Sequence, residues 1–119
     1  MVERMEFRKI IAVDFDGTLS LGSIYPALGD PNIDLINELR KWQNCGNKII
    51  LWTCRDGVLL DNAIDFCEKY GLIFDAVNDN LPEIVKFFGN NSRKIYADFY
   101  IDDKNKKMEE FIKYKERKL

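Results

Sequence analysis

The sequence predicts an α/β domain in which a mainly parallel sheet of about four strands carries helices on both faces. Short, uninterrupted apolar runs alternate with segments of helical periodicity four times along the chain. An apolar run of this kind is typical of a strand covered on both sides, and strand–helix alternation is typical of a parallel sheet. The 119 residues suffice for one hydrophobic core but not for two, so residues 1–119 are expected to form a single domain.

The predicted strands coincide with the apolar runs at residues 9–14, 48–53, 73–77 and 99–102. The first helix follows the first strand, and its apolar residues recur at intervals of three or four. These residues are Ile33, Ile36, Leu39 and Trp42. Asp30 is expected to cap this helix, with Pro31 at its first position and Gly46 just past its end.

Three further helices are predicted, each from a start signal, a stop signal or an apolar stripe. They are a helix over the stripe 59–67 with Asp56 as its N-cap and Gly71 at its end, a helix from Asn80 and Pro82 to Gly89, and a C-terminal helix with Met108, Phe111 and Ile112.

Composition excludes several classes of protein and of site. The chain has no histidine, so Ser-His-Asp triads and histidine-ligated zinc are excluded. Its three cysteines lack metal-site spacing, are interpreted as small core residues, and suit a reducing cytoplasm. A net charge of −2 does not favour nucleic acid as a partner. No signal peptide, membrane span or glycine-rich nucleotide loop is expected, so the chemistry depends on carboxylates, hydroxyls, lysine and a hard metal.

Acidic, hydroxyl and basic residues lie where the predicted strands end. The first strand runs into Asp14-Phe15-Asp16-Gly17-Thr18, the second ends at Thr53 with Arg55 close behind, and the fourth ends at Asp102-Asp103 with Lys94 shortly before it. Ligands of parallel sheets bind beyond the carboxyl ends of the strands. Crowded carboxylates repel one another unless a cation lies between them, and oxygen ligands of this kind suit Mg²⁺.

The spacing of the first two acids indicates phosphoryl transfer. In a continuing strand the side chains of Asp14 and Asp16 project on the same side. One carboxylate could attack phosphorus while the other protonates the leaving oxygen. Thr53 and Lys94 would hold the phosphoryl oxygens, whose charge must be stabilised during transfer. Gly17 would let the chain turn sharply after the strand.

These residues resemble the haloacid dehalogenase (HAD) superfamily of phosphohydrolases. Asp14-Phe15-Asp16-Gly17-Thr18-Leu19 is similar to its first motif, Thr53 to its second, Lys94 to its third and Ile101-Asp102-Asp103 to its fourth. The resemblance covers about residues 9–112 and implies a Rossmann-like, three-layer domain. The segments after the first and third strands are too short for a cap domain, and the chain resembles a small capless bacterial or phage subgroup.

The resemblance implies a role for each matching residue. Asp14 would be the nucleophile that forms an aspartyl-phosphate, and Asp16 the general acid and then base. Mg²⁺ would be held by Asp14, the Asp16 carbonyl and Asp102, with Asp103 either a second ligand or an orienting partner. The expected phosphate-binding set is Gly17, Thr18, Thr53, Arg55 and Lys94, in which Lys86 or Arg93 could replace Lys94.

Several alternatives stay open. Arg55 either reaches the phosphate or pairs with an acid. The apolar residues of the loop 20–30 either form a flap over the site or pack on the domain; they are Leu21, Ile24, Tyr25 and Leu28. A receiver-like phosphoacceptor or a metal-binding scaffold of the same fold is the competing function. The substrate is a phosphorylated molecule of open identity, and an uncapped site is compatible with a homo-oligomer.

Overall fold

The computed structural model describes residues 8–104. In chain order its elements are β1 (Ile10–Val13), β2 (Ser20–Leu21), β3 (Asp30–Pro31), α1 (Ile33–Asn44), β4 (Lys48–Leu51), α2 (Gly57–Lys69), β5 (Ala76–Val77), α3 (Pro82–Phe88) and β6 (Phe99–Ile101). Four of the strands form one parallel sheet in the order β5-β4-β1-β6. The predicted α/β fold with a mainly parallel sheet is confirmed. The predicted C-terminal helix lies outside the described residues.

The sheet divides the hydrophobic core of the domain into two parts, one on each face. Ile11 and Val13 of β1 face a core built with α1 and α2, whereas Ile10 and Ala12 face a smaller core that includes Ile84 of α3. All four β1 residues are buried, as the uninterrupted apolar run predicts for a strand covered on both sides. The three predicted layers, with helices on both faces, are therefore present.

The order of the strands creates a crevice beside β1. The chain moves outward from β1 to β4 and β5, and then crosses back to place β6 on the other side of β1. A reversal of this kind separates the strand-end loops on its two sides, and ligands of open α/β sheets bind there. The residues that follow β1 and β6 therefore lie at the edge where a site is expected.

The start of α1 differs from the prediction. Asp30 and Pro31 form β3, which pairs antiparallel with β2, and the N-cap is Asn32. The Asn32 side chain accepts a hydrogen bond from Leu35 N at 3.3 Å and donates one to the Thr18 carbonyl at 2.9 Å. The sequence Asp30-Pro31 is typical of an N-cap followed by a first-turn proline. In the structure these two residues instead form the second strand of the β2–β3 hairpin.

Of the two other predicted N-caps, Asn80 is wrong and Asp56 is confirmed in position. The N-cap of α3 is Leu81, with Pro82 in the first turn as predicted, whereas buried Asn80 instead holds the chain around Tyr96 through a 2.7 Å hydrogen bond to its backbone N–H. Asp56 occupies the predicted N-cap of α2 but makes no capping hydrogen bond. The three glycines predicted to end helices are confirmed, because each has a positive φ just past the end of a helix. They are Gly46, Gly71 and Gly89.

The cysteines are not all core residues. Cys67 is buried, and burial raises the pKa of its thiol to about 12, but Cys45 and Cys54 are exposed. All three are free thiols. Within residues 8–104, no helix combines the length and apolarity required to cross a membrane.

The corrected cap gives a direct test. Asn32→Ala removes both the cap and the link to Thr18, and we expect it to lower the free energy of unfolding by about 1–2 kcal/mol. Asp30→Ala is the matched control, because the exposed Asp30 side chain has no hydrogen bond or ion pair within the described chain. Urea unfolding measures both. Equal destabilisation by the two substitutions would contradict the assignment of Asn32 as the cap.

Candidate active site

Three predicted metal ligands converge beyond the carboxyl ends of β1 and β6. Asp14, Asp102 and Asp103 each offer one carboxylate oxygen, and these oxygens all lie within 4.8 Å of one another. The backbone brings them together, because Asp14 N donates to Ile101 O at 2.9 Å and so continues the pairing of the two strands. A group of oxygen ligands from two chain segments results.

The loop after β1 holds Asp103 in this group. The buried Thr18 hydroxyl accepts a 3.0 Å hydrogen bond from Asp103 N. Gly17 has a φ of +79°, and a Cβ there would lie 2.3 Å from Asp103 Oδ2. The observed contacts of Gly17 and Thr18 are thus with an acidic residue, although the sequence assigns both to phosphate binding.

The electrostatics of the group are those of crowded carboxylates. Burial raises the pKa of Asp14 from its ordinary 3.8 to about 6, and the charges of the neighbouring aspartates act in the same direction. A hydrogen bond from Lys104 N lowers the pKa of Asp102. Hydrogen bonding to the Asp102 carboxylate raises the pKa of Asp103. The group therefore carries a cost of like charges that a bound cation would relieve.

The side chain of Asp16 lies outside this group of three. Its two carboxylate oxygens accept hydrogen bonds from Arg55, at 2.8 Å from Nε and 2.7 Å from Nη2. The backbone carbonyl of Asp16, the group that the resemblance assigns to metal, accepts no hydrogen bond from the described residues. Of the two alternatives for Arg55, the geometry favours an ion pair with an acid.

Thr53 lies two residues beyond the end of β4, whereas the predicted strand ended at Thr53, and the neighbouring residue Asn78 holds it in place. Its backbone N–H donates to Asn78 Oδ1 at 2.7 Å, and its hydroxyl oxygen accepts from Arg55 N at 3.1 Å. The hydroxyl proton remains available to an acceptor. Asn78 has a φ of 51°, in the left-handed region that asparagine adopts in turns. Its contact with Thr53 is the part that the sequence does not indicate.

Lys94 is exposed and has no ion pair with the acids within the described part of the chain. It lines a cleft of about 460 Å³ together with Tyr100 of β6. Tyr100 packs on Trp52 with ring centroids 5.4 Å apart, and it contributes to the core on the α3 side. By alternation Asp14 and Tyr100 face that same side. Lys86 and Arg93, the other candidates, are also exposed, and neither has a hydrogen bond or ion pair with another residue of 8–104.

The loop between β2 and β3 presents apolar side chains to solvent. Ile24 is 87% exposed and Tyr25 is 53% exposed, and Leu21 and Leu28 are also classed as exposed. These values argue against the alternative that the loop residues simply pack on the domain. Tyr25 stacks on the Arg55 guanidinium at 5.1 Å, which places this part of the loop next to the partner of Asp16.

Comparison with known proteins gives one informative relative. No protein-family model and no curated protein matches the chain. A solved structure of a conserved protein coded by a locus from Bacteroides thetaiotaomicron matches with 36% sequence identity and a TM-score of 0.70. The match covers 94% of this chain and 93% of the other. The chain belongs to the same family as that bacterial protein.

The contact between Gly17 and Asp103 can be separated from the strain of a positive φ. Gly17→Ala and Gly22→Ala should each lower the free energy of unfolding by about 1–2 kcal/mol, because alanine is strained in the left-handed region. Gly22 has φ +78° with no atom within 4 Å of an added Cβ, which makes it the matched control. We expect only Gly17→Ala to weaken Mg²⁺ binding in a calorimetric titration, since it displaces the Asp103 carboxylate. Equal effects on binding would contradict this.

The raised pKa of Asp14 predicts a pH-dependent stability. Between about pH 4 and pH 6 the folded protein retains a proton that the unfolded chain has released, so metal-free stability falls as the pH rises through this window. Asp14→Asn should therefore raise the melting temperature of the metal-free protein at pH 7.5. About 1 kcal/mol corresponds to roughly 4–8 °C for a small domain.

The gain should be much smaller at pH 4.5, near the lower end of this window, where most of the pH-dependent loss of stability has not yet occurred. Asp61→Asn on the exposed surface of α2 serves as the control and should give no gain at either pH. Scanning calorimetry in the presence of EDTA measures all three proteins. An Asp14→Asn melting temperature at or below that of the wild type at pH 7.5 would contradict the prediction.

Proposed function

We propose that this member of the Bacteroides protein's family is a Mg²⁺-dependent phosphomonoesterase of the haloacid dehalogenase type, acting through an aspartyl-phosphate. The observation that carries the proposal is the convergence of Asp14 with Asp102 and Asp103 at the carboxyl edge of the sheet. Asp16 lies two residues after Asp14, and Thr53, with its hydroxyl, follows the neighbouring strand β4. The four matching motifs of the sequence support the same assignment.

The donors fit Mg²⁺. They are carboxylate oxygens from two segments, with the Asp16 carbonyl available as a further oxygen, and hard cations take such oxygen ligands. The raised pKa of Asp14 reflects burial and like charge, and a divalent ion there would favour the ionised form. Bound Mg²⁺ would neutralise charge on the substrate phosphoryl group and orient it.

The chain's own residues then divide the chemistry. The ionised Asp14 carboxylate attacks phosphorus, and the bond from phosphorus to the leaving oxygen breaks. Asp16, as the protonated carboxyl, gives its proton to that oxygen. The carboxylate that results, the form that Arg55 binds bidentately, takes a proton in the second half from the water that attacks the phosphorus of the aspartyl-phosphate. The Thr53 hydroxyl donates to a phosphoryl oxygen, and Lys94 supplies the positive charge for the others.

Features around the site bear on the substrate and the compartment. No cap covers the acids in residues 8–104, and exposed apolar side chains of the loop 20–30 border the Asp16 side of the site. We propose that a phosphorylated small metabolite, nucleotide or larger molecule enters from the open edge. Three free thiols, two of them exposed, are compatible with a reducing cytoplasm, where we place the enzyme.

An assay with an aryl phosphate tests the proposal. Wild-type protein should release phosphate with Mg²⁺ and not with EDTA, and Asp14→Asn should lose all activity above background because no nucleophile remains. Lys94→Met should reduce the rate by about 10²-fold or more, the size of a lost oxyanion partner. Lys86→Met, also an exposed lysine, is the matched control and should retain wild-type rates. Activity that survives Asp14→Asn would contradict the mechanism.

If the wild type hydrolyses no aryl phosphate, binding of a phosphoryl mimic distinguishes the remaining explanations. Beryllofluoride binds an intact aspartyl-phosphate site and should raise the melting temperature of the wild type but not of Asp14→Asn. Such stabilisation without hydrolysis indicates a substrate more demanding than aryl phosphates. Stabilisation by Mg²⁺ alone, with no response to beryllofluoride, would favour a metal-binding scaffold over an enzyme.

A further inference from the structure

Arg55 is a buried cation that takes its acceptors from separate parts of the chain. It is 1% exposed and is the largest fully buried side chain. A buried charge is costly unless it is paired and its donors are satisfied. Arg55 meets both conditions: it is paired bidentately with Asp16, and Nη1 donates to Leu59 O at 3.4 Å. The Asp16 carboxylate in turn raises the pKa of the guanidinium.

The same guanidinium holds the loop between β2 and β3. Nη2 donates to Pro26 O at 3.1 Å and to Ala27 O at 3.3 Å. Its Cζ atom lies over two aromatic rings, 4.9 Å from the Phe15 centroid and 5.1 Å from the Tyr25 centroid. Phe15 belongs to the core, whereas Tyr25 belongs to the loop. Arg55 is therefore clamped between the domain and the loop.

Few other contacts fix the loop. Ser23 bonds to Ala27, and Ala27 to Ile24, but these hydrogen bonds stay within the loop. In the described chain, the hydrogen bonds that join residues 22–28 to anything outside the hairpin 20–31 all come from Arg55. The loop thus depends on one side chain for its polar connection to the domain.

Asp16 depends on the same side chain. Its carboxylate is about one-third exposed, and both of its oxygens are bound by Arg55. We propose that Arg55 is a positioning residue that couples the orientation of the Asp16 carboxylate to the position of loop 22–28. A change at Asp16 is then transmitted to the loop, although the Asp16 side chain has no hydrogen bond with loop residues in the described structure.

The catalytic consequence rests on the proposed function. If Asp16 protonates the leaving oxygen, its misorientation slows poor leaving groups, which need that proton, more than good ones. Arg55→Lys keeps the charge but cannot donate bidentately from a planar group. We expect it to reduce kcat for phenyl phosphate at least about tenfold more than kcat for 4-nitrophenyl phosphate, within the range of general acid catalysis. A loss of stability alone would lower both rates equally.

Hydrogen exchange tests the coupling without any enzymatic activity. The Ala27 amide, which donates to Ile24 O within the loop, should exchange about tenfold faster or more in Asp16→Asn and in Arg55→Lys, since each substitution loses hydrogen bonds to a charged group that hold the loop. Asp14→Asn is the matched control, because it removes a carboxylate two residues away that has no hydrogen bond to Arg55. Its loop should exchange as in the wild type.

The outcomes separate the two proposals. Faster exchange in Asp16→Asn but not in Asp14→Asn supports the coupling, even if the wild type hydrolyses no phosphate and the proposed function fails. Unchanged loop exchange in Asp16→Asn overturns the coupling, whatever the activity. Where the wild type is active, equal slowing of the two aryl phosphates by Arg55→Lys overturns the positioning role in catalysis. Asp16→Asn carries the exchange test if Arg55→Lys does not fold.

Discussion

The pairing of β1 with β6 determines where the charges of this protein meet. The two strands are parallel neighbours, so the residues that follow them emerge side by side at one edge of the sheet. Each strand is followed by aspartate, and the hydrogen bond from Asp14 N to Ile101 O carries the pairing into the site itself. The half-buried carboxylates are thus held in place by backbone that the hydrophobic cores have already fixed.

The closeness of the three carboxylates lowers the stability of the metal-free fold. A half-buried carboxylate next to two others costs free energy, and the structure bears that cost at the point where a cation could relieve it. The residues around the acids are arranged to keep them close, since the Thr18 hydroxyl and the missing side chain of Gly17 both serve Asp103. On the other side, Arg55 neutralises Asp16, which leaves the site with two acidic residues in different electrostatic surroundings two positions apart.

The sequence predicts the frame of this site well, because buried parallel strands leave a strong signal. Asp14 and Asp102 could be placed at one edge since each follows an uninterrupted apolar run, and such runs become strands covered on both faces. The β2–β3 hairpin gave no signal, because its strands have two residues each and Asp30-Pro31 is equally compatible with a helix start. The sequence offered Arg55 two acceptable roles, and the two hydrogen bonds that it donates to the Asp16 carboxylate favour one of them. Asn78 illustrates the same limit, since a turn asparagine does not reveal which backbone N–H it will bind.

The hydrogen bond from Asp103 N to the Thr18 hydroxyl spans 85 positions in sequence. Contacts of such high sequence separation close large loops, and domains rich in them fold slowly. The ligands of the site therefore belong to opposite parts of the chain, and an emerging polypeptide cannot assemble them until residue 103 has left the ribosome. A chain that stops short of β6 would contain Asp14 but would lack Asp102 and Asp103, and with them the group of three carboxylates. A cation could therefore bind these three carboxylates only after β6 has been synthesised and has paired with β1.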